Sequence, residues 1–285
     1  MLPQLITNGL IAGGAYSLIA IGYSMIYGVG KFINFAHGEL YMSGAYCFYL
    51  FYNILGWNIG ISILLAIAFG GVLGIALERL AYRPFNKASR LVPLITTIGA
   101  STILKALVMF IFGVQTHSLL KGEGYQHALS FANFSFTPIQ GLTIVISLGL
   151  MLSLGLILKK TRTGKALRAT AESRQSASYI GVDTDRISQI TFAIGGLLAA
   201  VAGILVGFDQ NISPSMGILA GFKGFTAAIL GGIGSIPGAV VGGFCIGLIE
   251  NLGAGYISSA YKDSFSFLIL LLILIAKPQG IFGEK

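Results

Sequence analysis

Three hydrogen-bonding side chains crowd one short stretch near the start of the chain, Ile33-Asn34-Phe35-Ala36-His37-Gly38-Glu39. Asn34, His37 and Glu39 stand at the head of an apolar run. Ionisable groups at membrane depth are costly, and they usually face an interior or an aqueous cavity. Two readings of this knot stay open. In one, the three side chains line a polar path or brace a broken helix. In the other, Asn34 is the N-cap of a helix and Glu39 sits in its first turn, where the positive dipole end favours a carboxylate.

The second stretch with chemical potential is residues 159–186, KKTRTGKALRATAESRQSASYIGVDTDR. It sets seven basic residues (Lys159, Lys160, Arg162, Lys165, Arg168, Arg174, Arg186) against three acids (Glu172, Asp183, Asp185). Good helix formers fill its middle, and Leu167, Ala171 and Arg174, then Ala177 or Ser178, recur near helical spacing between Gly164 and Gly181. The pattern predicts a short amphipathic helix at the membrane surface. Small residues for close approach, with charges such as Lys165, Arg168 and Glu172 for register, suit docking onto a partner. A solvated loop that only fixes topology is the plainer reading.

Other reactive arrangements are missing. A phosphate cradle needs Gly-x-x-x-x-Gly-Lys-Ser/Thr, but Gly164-Lys165 is followed by Ala166, with Lys159 where the first glycine belongs. Gly232-Ile-Gly234 is no dinucleotide fingerprint, because Pro237 takes the third glycine position. No His, Cys and carboxylate set has metal spacing. No nucleophile stands beside a base. Cys47 and Cys245 lie inside apolar runs and read as packing residues. Catalysis by the chain itself is not expected, and no cofactor or metal is expected on it.

The elements that must position these residues are membrane spans. Of 285 residues, 55% are hydrophobic and 10% charged, and the mean hydropathy is +0.83. A soluble domain carries about 25% charged residues. The net charge of +8 is gathered in a few loops, which reads as topology and not as nucleic-acid binding. The expected class is an all-α polytopic membrane protein with about 8–9 transmembrane or re-entrant helices. Their approximate positions are 5–27, a run ending near 55, 59–81, 91–113, 138–158, 187–208, two shorter pieces at 221–234 and 237–256, and 265–276. The first run lacks a basic leader and is expected to remain as a span.

The basic loops at 79–90 (Arg79, Arg83, Lys87, Arg90) and 159–186 are separated by two spans, so both face the cytoplasm. The interval 115–137 then faces outward, and Lys277 and Lys285 lie inside. A re-entrant element at the polar knot would reverse the N-terminus. Gly195, Ala199, Gly203 and Gly207, and also Gly234, Gly238 and Gly242, repeat every fourth residue, the small-residue pattern of tight helix packing. Pro237 marks an expected helix break that could line a cavity. Glu250 with Asn251, and Asp209 with Gln210, fall near the outer face, while Lys105 lies mid-span.

Four stretches together carry a family resemblance: AIGYSMIYGVGKFINFAHGELYMSGAY, ERLAYRPFNKASRL, TRTGKALRATAESRQSASYIGVDTDRI and FTAAILGGIGSIPGAVVGG. In this order they resemble the permease subunits of bacterial branched-chain amino acid ABC importers, of the shorter, LivH type. The resemblance implies a single transmembrane permease domain over 1–285, with the ABC importer permease fold and a cytoplasmic coupling loop at 159–186. It implies an inner-membrane, multi-pass location. It also implies a heterodimer with a second homologous permease, two cytoplasmic ATPase subunits that bind the ATP, and a periplasmic amino-acid-binding protein.

The coupling segment would comprise Gly164, Lys165, Leu167, Arg168, Ala171, Glu172, Arg174, Ala177 and Gly181. The substrate path would include Asn34, His37, Glu39, Gly232, Gly234 and Pro237. The stretches 115–137 and 211–222 would meet the binding protein. Leucine, isoleucine and valine are the implied substrates. Urea and other amino acid permeases share motifs like NFAHGE and GGIGS, so they remain the alternative. A solitary secondary transporter or channel is the reading from a different class.

Overall fold

The computed structural model describes residues 1–86, 88–89, 91–119, 129–131 and 134–283. Lys87, Arg90, Lys285 and much of the 115–137 interval lie outside the described residues.

Eleven α-helices appear among the described residues: α1 (Leu2–Gly30), α2 (His37–Tyr49), α3 (Ile59–Leu77), α4 (Leu91–Phe112), α5 (Pro138–Lys160), α6 (Arg162–Glu172), α7 (Arg174–Tyr179), α8 (Thr184–Asp209), α9 (Met216–Gly231), α10 (Ile236–Tyr256) and α11 (Lys262–Ala276). A π-helical turn (Leu50–Ile54) extends α2, and another (Glu78–Tyr82) extends α3. Seven of the helical segments are long and apolar enough to cross a membrane. The shortened elements at membrane depth are α2 and α9, with 13 and 16 residues. This departs from expectation, because α10 is a full 21-residue helix. Among the described residues the helices are joined by a small hairpin, β1 (Leu129–Phe131) paired antiparallel with β2 (Phe134–Phe136).

Hydrogen bonds order the two ends of the bundle. Gln4 on α1 exchanges bonds with the backbone of Ser135 at 2.8 and 2.7 Å. Gln140 at the head of α5 reaches Asp209 at the tail of α8 at 2.9 Å. His117 and Ile212 form an isolated β-bridge, and the hydroxyl of Tyr49 lies 3.1 Å from His117. These residues define a hairpin end. The opposite, basic end carries Lys31, Arg83, the α6–α7 pair and the chain terminus. There the Ile281 and Phe282 amides donate to Leu230 and Gly231 at the tail of α9.

Glycine makes the central contacts. A Cβ on Gly203 of α8 would overlap the Tyr41 carbonyl of α2, and one on Gly44 would collide with the Ala200 backbone. Gly70 and Gly74 of α3 meet Gly196 and Phe192 of α8 in the same way. Of the ladder, Gly203 packs on the α2 backbone, Gly207 faces Leu119 and Ile212, and Gly195 meets the side chains of Ile26 and His37, so small-residue spacing marks a helix seam at Gly203. The sequence reading missed a second seam, in which Gly9 and Gly13 of α1 face Gly243 and Gly247 of α10.

Candidate functional site

The polar knot sits where a helix fails to start at the membrane surface. α1 stops at Gly30, capped by Lys31 in the left-handed conformation with φ 54°. The chain then turns back into the bundle. The Asn34 side chain accepts from the Ala36 amide at 3.2 Å, and its carbonyl accepts from the His37 amide at 3.1 Å. Ala36, not Asn34, occupies the N-cap of α2, with no side-chain cap. Asn34 shapes the turn before the helix, which corrects its reading as the cap. Glu39 does lie in the first turn.

His37 is buried against Gly22 of α1 and Gly195 of α8, and it packs edge-on to the Tyr23 ring at 4.7 Å. Gly22 lies eight residues before the end of α1, or about 12 Å at 1.5 Å per residue. The start of α2 is thus deep within the bundle. α9 mirrors it from the other side. Residues 210–215 turn inward from the hairpin end, and α9 then begins beside Gly38, whose Cβ would overlap the Gly217 carbonyl. Two shortened helices therefore meet N-terminus to N-terminus at mid-depth and run to opposite faces. Their positive ends converge there. Irregular backbone at such depth is tolerated where protein buries it or a cavity is lined.

A cavity of about 460 Å³ opens at this meeting point. Glu39, Ser101 and Thr102 contribute its polar groups, and Phe35, Phe222 and Phe225 are prominent on its apolar wall. Ser101 donates to Glu39 Oε1 at 3.2 Å. Of the six residues expected on a path, Glu39 alone lines this cavity. Asn34 and His37 are buried behind it. Gly232, Gly234 and Pro237 lie at the basic end, in the turn between α9 and α10. Gly232 and Gly234 have φ of 104° and 98°, which the absence of a side chain permits. Pro237 begins α10, and Ser235 caps that helix by accepting from Gly238 at 3.2 Å. The expected break at Pro237 is thus a helix start, and the true discontinuities precede α2 and α9.

A second cavity, of about 370 Å³, lies toward the hairpin end and is lined in part by Tyr16, Tyr41, Lys223 and Asp263. The sequence reading missed Lys223. Its ammonium lies 3.1 Å from both carboxylate oxygens of Glu250, 2.7 Å from Asp263 and 3.1 Å from the Tyr16 hydroxyl. Tyr16 and Ser266 also donate to Glu250. One buried network thus ties α1, α9, α10 and α11. A lone lysine in an otherwise apolar run was the available signal. Glu250, placed near the outer face from sequence, is fully buried.

At the basic end the amphipathic segment is two helices. Ser173 breaks it with extended backbone and caps α7 by accepting from the Ser176 amide at 3.2 Å. Gly164, Leu167 and Ala177 are buried against the bundle, Ala171 is half-buried, and Lys165, Arg168, Glu172 and Gly181 are exposed. Arg174 turns inward. It donates to Asp185 at 2.5 Å and to the Tyr82 hydroxyl at 2.9 Å, and Arg83 shares Asp185 at 2.9 Å. The Tyr82 ring stacks on Phe32, with centroids 4.7 Å apart and planes 8° apart. The chain from α7 thereby reaches the segment that leads into α2. Tyr179 and Ile180, 79% and 75% exposed at the tip of α7, were not anticipated as an outward apolar pair. The stretch expected at 211–222 divides, since only its first part lies at the hairpin end and α9 carries the rest inward.

A polytopic helical protein with shortened helices meeting at mid-depth and an amphipathic pair at one end has the architecture of a membrane transport subunit. Residues 5–274 match the family model for the branched-chain amino acid transport system permease component, and the chain belongs to that family. It is 42% identical to the high-affinity branched-chain amino acid transport system permease protein LivH of Escherichia coli, over 99% of this chain and 95% of that protein. It is 40% identical to BraD of Pseudomonas aeruginosa, a permease of the same description, with the same coverage. Among solved structures, PsaBC from Streptococcus pneumoniae in complex with Fab shares the fold, with a TM-score of 0.53 at 10% identity over 95% of this chain and 91% of that one.

Proposed function

We propose that this chain is the membrane-spanning permease of an ATP-driven importer for leucine, isoleucine and valine in a bacterial cytoplasmic membrane. The observation that carries the reading is the extent of the family match. Residues 5–274 include both shortened helices and the α6–α7 pair. The basic end faces the cytoplasm, in keeping with the excess of lysine and arginine there. The chain pairs with a second homologous permease. Two ATPase subunits bind and hydrolyse the ATP below, and a periplasmic protein delivers the amino acid above.

In this reading α6 and α7 seat in an ATPase cleft. Lys165, Arg168, Glu172 and Gly181 face the partner, joined by Tyr179 and Ile180. Gly164, Leu167, Ala171 and Ala177 set the helices against the bundle. Arg174 holds α7 to Tyr82, and Tyr82 stacks on Phe32 just before α2. ATP-driven movement of α7 pulls on that chain and shifts the start of α2 relative to α9. Of the path residues, Glu39 faces the cavity between them, and Asn34 and His37 hold α2 in place.

The test is purification from native membranes in mild detergent, with identification of the co-purifying proteins. ATPases and a second permease are expected. Recovery of the chain alone, under conditions that preserve other membrane complexes, would favour a solitary transporter. A co-purified binding protein that takes urea and not leucine would move the substrate class.

A further inference from the structure

The mid-depth cavity holds a carboxylate whose bonding is half complete. Glu39 is 1% exposed, and its Oε1 accepts from Ser101 while Oε2 has no hydrogen-bond partner. Charges at membrane depth pair with opposite charges. Lys223 obeys that rule with two carboxylates. Lys105, one turn along α4 from Ser101, acts on Glu39 electrostatically without a direct contact, no ion pair within 4 Å being formed between them.

The surroundings favour an anion there and leave room beside it. The N-terminal ends of α2 and α9 both converge on Glu39, and helix N-termini favour negative charge. A Cβ on Gly217 would sit 2.6 Å from Oε2, so only a bare glycine lets α9 pack this closely on the carboxylate, and Oε2 is buried there. The cavity volume, about 460 Å³, lies within the range of about 300–1,000 Å³ for small-molecule sites. Phe35, Ile98, Ile218, Phe222 and Phe225 give it apolar walls. Aromatic faces add attraction for an ammonium group.

We propose that this cavity binds a primary ammonium group carrying a branched aliphatic tail, with the Glu39 carboxylate as its hydrogen-bond acceptor and Phe222 and Phe225 against the tail. The inference rests on the import reading and names the contact that would recognise its substrate within the membrane.

The test is ligand-observed saturation-transfer NMR on the purified permease–ATPase complex without the binding protein. The probes are 3-methylbutylammonium, which lacks a carboxylate, and 4-methylpentanoate, which lacks an ammonium. Wild type is expected to bind the ammonium probe, Glu39→Gln to weaken it at least tenfold, and Glu39→Asp to recover part of it. Should Glu39→Gln fail to assemble, Ile218→Trp fills the cavity from α9 and is expected to exclude the same probe. Equal binding by wild type and Glu39→Gln, binding that survives Ile218→Trp, or a preference for 4-methylpentanoate would overturn the site. Leucine uptake by the wild-type complex is scored separately. A complex that imports leucine but binds no ammonium probe loses only the site. One that binds the probe through Glu39 but imports no leucine loses only the branched-chain reading.

Discussion

Lys223 and Glu250 show what a buried charge demands at the scale of a residue. Each is held by several partners, and removing one leaves the other stranded in a medium that solvates it poorly. Breaking such a pair from one side costs about 3–5 kcal/mol, while replacing both members with apolar groups is far milder. Lys223→Met should therefore lower the melting temperature of the detergent-purified complex markedly, and the double change Lys223→Met with Glu250→Leu should recover most of the loss. A single variant as stable as wild type would show that the network contributes little. Glu39, by contrast, keeps an oxygen without a partner. Its pairing with Ser101 was not legible in the sequence, because nothing in the spacing of residues 39 and 101 announces that α4 lies against the start of α2.

Helix seams and helix starts carry the argument at the scale of elements. The four-residue repeat on α8 was readable, since close packing needs small residues at that period. A Cβ at Gly203 would overlap the Tyr41 carbonyl, and larger side chains in packed interiors force backbone shifts of about 1–3 kcal/mol or more. Gly203→Leu should sharply reduce the yield of folded protein by size-exclusion chromatography, and a normal yield would contradict the seam. The breaks before α2 and α9 were harder to read. Proline drew attention to position 237, yet proline suits the first turn of a helix, and there it begins α10. Breaks at Ala36 and Ser215 depend on where the chain can turn back into the bundle, which is a tertiary matter. The division of the amphipathic segment at Ser173 was hidden in the same way, because serine is tolerated within helices as well as at their caps.

The link from α7 through Arg174, Tyr82 and Phe32 also belongs at this scale. Tyr82→Leu removes both the stacking ring and the acceptor for Arg174. It should lower leucine uptake several-fold in a complex that still assembles and hydrolyses ATP. Unchanged uptake would mean that movement reaches α2 by another route. Glu172→Lys tests the exposed face of α6. With Glu172 exposed on α6, insertion should be unaffected while ATP-driven uptake falls more than tenfold. Wild-type uptake would remove Glu172 from the docking surface.

For the whole molecule, composition and the apolar runs gave the membrane class and the approximate positions of the spans. The parity survives the break at the polar knot, because α2 still continues from mid-depth to the hairpin end. The long motifs gave the family, and the match over residues 5–274 bears that out. What the sequence withheld was the lateral packing and part of the depth. It did not show that Glu250 is enclosed, passed over Lys223, and gathered Gly232, Gly234 and Pro237 with Glu39 although they lie at different levels of the bundle.

In the proposed importer, ATP drives an amino acid through the bundle this chain helps to form. This is tested most directly by radiolabelled leucine uptake into proteoliposomes holding the chain with its second permease and ATPases, with leucine-loaded binding protein outside and ATP inside. Uptake should require ATP and every subunit, and unlabelled isoleucine or valine should compete where urea does not. Leucine accumulation by this chain alone, independent of ATP and driven by a pH gradient, would contradict the account.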